Sequence, residues 1–177
     1  MLTTAALIDR WRRTREGTVA LVQSIPLEHF DWRPHPDAFS CGDIVRHLMQ
    51  AEQVFGLLLA AAGRGEAWDP WQMTGSGEER LRSARRAILD GAGTVELGTT
   101  PAACLEHWHT LRGETEAALA TVPDAALTNA VEHPVTAIRS PLWEMFLLMI
   151  EHEIHHRGQL SAYLKVLGVD QPALLMR

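Results

Sequence analysis

The sequence predicts an all-α protein, a four-helix bundle with one short extra helix. Three observations carry this. Apolar residues recur at the three-to-four spacing of a helix face along four long stretches. Proline and glycine punctuate the chain between them, with helix start signals where the stretches begin. No segment alternates apolar and polar residues with the period of a half-buried strand.

The first helix reads from about Thr4 to Ser24 and halts before Pro26. The segment DWRPHPDAF follows, and its two prolines lack the amide hydrogen that a helix interior needs. Ser40 and Asp43 form an S-x-x-D start signal, opening a helix from Cys41 to about Ala62. GRGEAWDPWQMTGSG reads as a loop, and EERLRSARRAILD as a shorter helix closed by Gly91. Thr100-Pro101 sets an N-cap before proline at the first helical position, where its fixed φ suits the helix and its missing N–H would be unpaired anyway. That helix runs to about Val122 and is ended by Pro123. Ser140-Pro141 repeats the device, and the last helix extends to Leu167 with Gly168 as its C-terminal cap. The whole chain, 1–177, is expected to form a single domain.

With 46% apolar and 21% charged residues the composition is that of a globular protein, not a disordered one. The net charge is -6 and no basic stripe is present, which argues against general nucleic-acid binding. Arg10, Arg12, Arg13 and Arg15, interleaved with Asp9 and Glu16, read as the solvated face of the first helix. Arg80, Arg82, Arg85 and Arg86 read the same way on the short helix. Cys41 and Cys104 make no disulfide framework, so reduced, buried cysteines and a cytoplasmic location are expected. No stretch approaches the roughly 20 apolar residues of a membrane span, and MLTTAALIDRWRRTREG lacks the apolar run of a signal peptide.

The chemistry concentrates in EHEIHHRGQL, residues 151 to 160. His152-Glu153-Ile154-His155-His156 satisfies H-E-x-x-H, the zinc motif of helical metalloproteases. The protease reading fails for want of a third ligand: no Glu or His follows His156, and the sole downstream acid is Asp170. At about 100° per residue, His152 and His156 fall on the main apolar stripe with Leu142, Met145, Met149, Leu160, Tyr163 and Leu167. His155 falls about 60° to the other side. Imidazoles at i and i+4 can chelate one ion, so His156 and not His155 is the expected companion of His152. On the second helix His47 sits mid-stripe among Ile44, Ala51, Val54, Phe55 and Leu58, where a leucine is expected. Three inward histidines on two helices suit an open metal site with a position left for water or substrate. On spacing alone two readings stand beside each other: that metal site, or hydrogen-bonded histidines in a polar core.

HEIHHRGQLSAYLKVLG resembles the end of the DinB-like, or DinB/YfiT, superfamily. Members carry one histidine on the second helix and H-x-x-x-H-R-G-Q on the last; His47 matches the first, and His152 and His156 followed by Arg157-Gly158-Gln159 match the second. The resemblance spans nearly the whole chain, including helix order. It implies an up-down-down-up bundle with one divalent metal ion on His47, His152 and His156. Zinc or nickel is the first expectation, iron or manganese the next. It also implies frequent homodimers and, in some relatives, thiol S-transfer or isomerisation with bacillithiol, mycothiol or glutathione. The expected function is therefore a metal-dependent thiol transferase or related enzyme, acting on a small-molecule thiol and an electrophile. A non-catalytic, stress-related metal or sensor protein is the alternative, and a metal-dependent hydrolase stands third.

Gln159 lies about 20° from His152 and is expected to support a ligand or touch a bound molecule. Glu153 and Glu151 flank the inner face, where they could orient imidazole N–H groups, although a solvated role fits them better. Arg157 points away and reads as a structural ion-pair residue. Tyr163 is inward and reads first as core. His107 lies at the edge of the third long helix's stripe, within potential reach of the site, while His109 points outward. His29, His35 and His133 read as loop or surface residues, and Trp32, Trp68 and Trp71 lie in connections. The last helix also carries a second apolar strip, Trp143, Phe146, Leu147, Ile150, Ile154 and Leu164. Such a strip needs cover, from another helix, from a long loop such as 63–76 or 124–139, or from a second subunit, and a two-fold homodimer is the expected source.

Overall fold

The computed structural model describes residues 2–66, 75–89, 94–133 and 136–173. Four long helices build it: α1 (Thr4–Gln23), α2 (Cys41–Gly63), α5 (Pro101–Leu119) and α6 (Leu142–Val166). Between α2 and α5 lie the shorter α3 (Gly77–Leu89) and the single-turn α4 (Thr94–Leu97). Two 3-10 turns, Leu27–His29 and Asp124–Thr128, and a small hairpin complete the described chain. The hairpin pairs β1 (Ala130–Glu132) antiparallel with β2 (Arg139–Pro141), in the register Val131 opposite Ser140. The hairpin was not expected, because three residues per strand are too few to display an alternation.

Two of the three start signals act as the sequence predicts. Ser40 Oγ accepts from Asp43 N at 3.0 Å, and Asp43 Oδ2 accepts from Ser40 N at 2.9 Å, a reciprocal capping box. Thr100 Oγ1 accepts from Ala103 N at 3.1 Å, with Pro101 opening α5. Gly168, at φ 71°, takes the left-handed conformation that ends α6. Ser140-Pro141 departs from expectation. Both residues belong to β2, and α6 starts at Leu142, whose N–H donates to Asn129 O at 2.9 Å. The hairpin thus feeds the last helix directly.

Two apolar clusters fix the helix directions. Leu7 and Ile8 near the start of α1 pack with Leu142 and Met145 near the start of α6, and with Leu59 and Leu119 near the ends of α2 and α5. In the other cluster Leu21 and Val22 late in α1 meet Leu160 and Leu164 late in α6, and Ile44 and Cys104 early in α2 and α5. So α1 and α6 run one way and α2 and α5 the other, the up-down-down-up order. α1 and α6 each pack against α2 or α5 and against one another, and α5 lies between α1 and α2. α2 and α5 approach closely at Gly56, where a Cβ would stand 2.7 Å from Thr115 Cγ2.

This arrangement corrects the reading of α6's second strip. Phe146, Ile150 and Leu164 are fully buried within the chain, against α1 and the Asp124–Thr128 turn. Trp143 and Leu147 pack partly against the same core, and only Ile154 is exposed, at 38%. The cover is α1 together with the Asp124–Thr128 turn, so the strip no longer argues for a second subunit. Arg15 is a second correction. It is 2% exposed and lies inside the bundle, not on a solvated face. No helix among the described residues is long and apolar enough to cross a membrane.

Candidate metal centre

The antiparallel run of α2 and α6 brings His47, on the second turn of α2, level with His152 and His156 midway along α6. One ring nitrogen from each of the three lies within 4.8 Å of the others. His47 Nε2 and His152 Nε2 are 3.0 Å apart and share a hydrogen bond, one donating and the other accepting. The rings stand edge to face, with centroids 4.8 Å apart for His47–His152, 4.6 Å for His47–His156 and 4.5 Å for His152–His156. His156 is buried and the other two are partly so.

Gln159, one turn beyond His156, holds its ring. His156 Nδ1–H donates to Gln159 Oε1 at 2.7 Å. This selects the tautomer whose Nε2 lone pair is free to face the cluster. Phe39 lies 5.5 Å from the His47 ring and 6.4 Å from His156, and Phe55 lies 6.3 Å from His152. These apolar rings limit water around the imidazoles.

The surroundings keep the imidazoles neutral. Burial pushes His47 down from 6.5 to about 3, helped by the neighbouring His156. Burial pushes His152 down to about 2, with His47 and His156 adding to it. Burial lowers His156 to about 4, partly opposed by its hydrogen bond to Gln159. A cluster of neutral, lone-pair-bearing nitrogens is what a divalent ion requires. Tetrahedral sites with metal–nitrogen bonds of about 2.0–2.1 Å place ligand nitrogens roughly 3.3 Å apart. The ligand nitrogens lie within 4.8 Å of one another, with one pair at 3.0 Å, so the donor set fits such an ion.

The depressed pKa values also predict how the metal-free protein responds to acid. The unfolded chain takes up protons at these histidines near 6.5, whereas the folded chain resists until about 4 and below. Unfolding therefore gains protons as pH falls from 6.5 towards 4, and stability must fall with it. With chelator present, the urea midpoint should be lower at pH 5 than at pH 7, and the drop should shrink in His152→Gln. An equal drop in both proteins would contradict this origin.

The remaining sequence-predicted residues separate. Glu153 does not orient an imidazole and is not solvated. It is 2% exposed on the flank of α6 that faces α1. Its Oε1 accepts from Arg15 Nε at 3.0 Å and Thr18 Oγ1 at 2.5 Å, and its Oε2 from Arg15 Nη2 at 2.8 Å. Arg15 Nη1 also pairs with Glu52 on α2, and Glu52 Oε2 accepts from Trp108 Nε1 at 2.5 Å. Burial raises the Glu52 carboxyl above its ordinary range, although Arg15 and Trp108 oppose the shift. Tyr163 is half-buried, edge-on to Trp32 at 5.5 Å, and outside the cluster. His107 and His155 are exposed, and His155 reaches only the flank of His156, ring to ring at 4.9 Å. Arg157 donates to the Thr14 carbonyl at 3.0 Å, so it ties α6 to α1 through a backbone acceptor and not an expected ion pair. Trp68 and Trp71 lie outside the described residues.

Sequence reasoning missed His133. It follows β1 in a loop, as expected, yet it is 5% exposed and its ring stands 4.8 Å from Phe55, the residue beside His152. Its Nδ1 accepts from Thr136 N at 3.1 Å. Burial lowers it to about 4. No local pattern marks it, because its placement depends on a hairpin too short to read.

The fold and donor set can be compared with known proteins. A crystal structure of a DinB-like protein from Bacillus subtilis superposes with a TM-score of 0.66 at 18% identity, covering 97% of this chain and 99% of that one. A DinB-like protein from Bacillus cereus gives 0.64 at 16% identity, covering 97% of each chain. At these identities the likeness establishes the fold. A search of curated proteins gave no significant match. The sequence itself matches the DinB superfamily over residues 10–160, a span that includes all three clustered histidines, and the chain belongs to that superfamily.

Proposed function

We propose that this protein binds one divalent metal ion through the Nε2 atoms of His47, His152 and His156 and uses it in thiol transfer. The carrying observation is the convergence of three neutral imidazoles on two antiparallel helices, with Gln159 holding one of them. Three protein ligands would leave a coordination position for a small molecule. Such an ion, when bound, supplies the Lewis acidity that makes a coordinated thiol a thiolate near neutral pH. Zinc or nickel suits an imidazole set best, with iron next; manganese enters on the family resemblance alone.

The protein's own thiols do not suit the role of nucleophile. Cys41 and Cys104 are fully buried, and burial pushes both up to about 11. The reading therefore takes its thiol from outside, a low-molecular-weight thiol whose sulfur bonds to an electrophilic carbon as the displaced group departs. A single-domain, cytoplasmic protein belongs to this reading. The homodimer stands in it on the family resemblance alone, because α1 covers the strip that had argued for a partner.

Cobalt(II) substitution tests the proposal. The protein should take up one cobalt ion per chain. Adding a small thiol should then produce a sulfur-to-cobalt charge-transfer band in the near ultraviolet. Failure to take up cobalt, zinc or nickel would sink the metal site. Uptake without a thiol band would sink the thiol chemistry and leave the site.

A further inference from the structure

The three histidines ride on two helices, so their convergence depends on how α2 and α6 sit against each other lengthwise. Close-packed apolar side chains hold two helices together and interlock them, but the hydrophobic term itself is non-directional. Chelation by three side chains tolerates about 0.5 Å of misplacement. A directional contact between the helices adds precision to that register.

We infer that Arg15, from the neighbouring helix α1, is a positioning residue that sets the spacing of His47, His152 and His156. Its guanidinium lies between the two histidine-bearing helices and engages a carboxylate on each. On α6 it forms a two-pronged pair with Glu153, at 3.0 Å and 2.8 Å, and Glu153 is the chain neighbour of His152. On α2 it pairs with Glu52, five residues beyond His47. All three side chains are at most 2% exposed. In that dry setting a planar fork matched to a carboxylate is strong and directional. Trp108 closes the assembly, with its ring 4.0 Å from the Arg15 guanidinium carbon and its N–H on Glu52. Thr18 and Arg157 add further ties from α1 to α6, through Glu153 Oε1 and the Thr14 carbonyl. The network lies in the middle of the bundle, between the two apolar clusters and at the level of the imidazoles. Buried ion pairs of this kind contribute little to stability against apolar replacements. Their distinctive contribution is geometry, and here the geometry they constrain is that of α2 against α6.

The inference deepens the metal reading, and its first test is made without metal. The His47–His152 hydrogen bond joins two nitrogens at 3.0 Å, so ring-nitrogen labelling of the metal-free protein should show a scalar coupling across it. The variant Arg15→Met/Glu52→Gln/Glu153→Leu removes the charges while keeping volume and an acceptor for Trp108. It should remain folded by circular dichroism and be no less heat-stable, yet the coupling should vanish or drop at least about twofold, because such bonds weaken steeply when misaligned. Glu153→Gln, close to isosteric, serves if the triple variant does not fold, and should lower the coupling in the same direction. A folded variant with the wild-type coupling overturns the inference, as does a wild-type protein with none. Cobalt affinity is the second readout and should fall about 10–100-fold, the range seen when ligand-supporting residues are lost. If coupling responds as expected but wild-type protein takes up no cobalt, the metal reading fails and the positioning role stands.

Discussion

Replacing His47 with alanine should remove most bound metal, with affinity falling by more than the roughly 10–100-fold that loss of a supporting residue costs. Among the described residues the proposed site has three protein donors, one per histidine, and the residual His152/His156 pair is a two-donor chelate on a single helix. A chelator competition measures the loss. Two comparisons make it specific. Gln159→Ala frees the His156 ring to rotate and to change tautomer, so it should weaken binding within that 10–100-fold range. His155→Ala should leave the metal in place, since His155 is exposed and stands outside the donor group. Full occupancy in His47→Ala would refute the three-histidine site, and metal loss in His155→Ala would reassign a ligand.

Arg15→Ala should produce the largest loss of stability, about 3–5 kcal/mol. Removing the guanidinium leaves the Glu52 and Glu153 carboxylates facing each other in a dry core, each stripped of its countercharge. Domains of this kind are stable by only about 5–15 kcal/mol in total, so the variant should unfold at far lower urea and express poorly. The triple neutral variant should instead be near or above wild-type stability, because it buries no unpaired charge. An unfolding free energy for Arg15→Ala within about 1 kcal/mol of wild type would mean that the carboxylates find protons or water at little cost.

These two experiments touch residues that the sequence revealed to very different degrees. The four long helices and two of their start signals are local matters. Ser40 and Asp43 cap each other across three residues, and proline after Thr100 needs only its own ring to favour a helix start. The inward direction of His47, His152 and His156 follows from the 100° step and a count of apolar neighbours. No partner helix is needed for that inference, which is why the triad was visible before any fold was known.

Arg15, Glu153 and His133 were not visible in this way. The angular argument assigns one buried stripe to each helix and gives every charge beyond it to water. In this bundle α6 touches both α2 and α1. Its buried arc is therefore wider than one stripe and takes in Glu153, about 100° from His152, along with Phe146, Ile150 and Leu164. A charge can occupy that wider arc only where the opposite helix offers a countercharge at the same height. Height is set by how α1, α2 and α6 align over tens of residues of chain. The sequence by itself determined the four long helices, the starts of α2 and α5, and the inward direction of His47, His152 and His156, because those depend on neighbours within a few turns. Only the tertiary structure decided which charges are buried, what covers the back of α6, and that His133 approaches the site, because each depends on the docking of segments far apart in the chain.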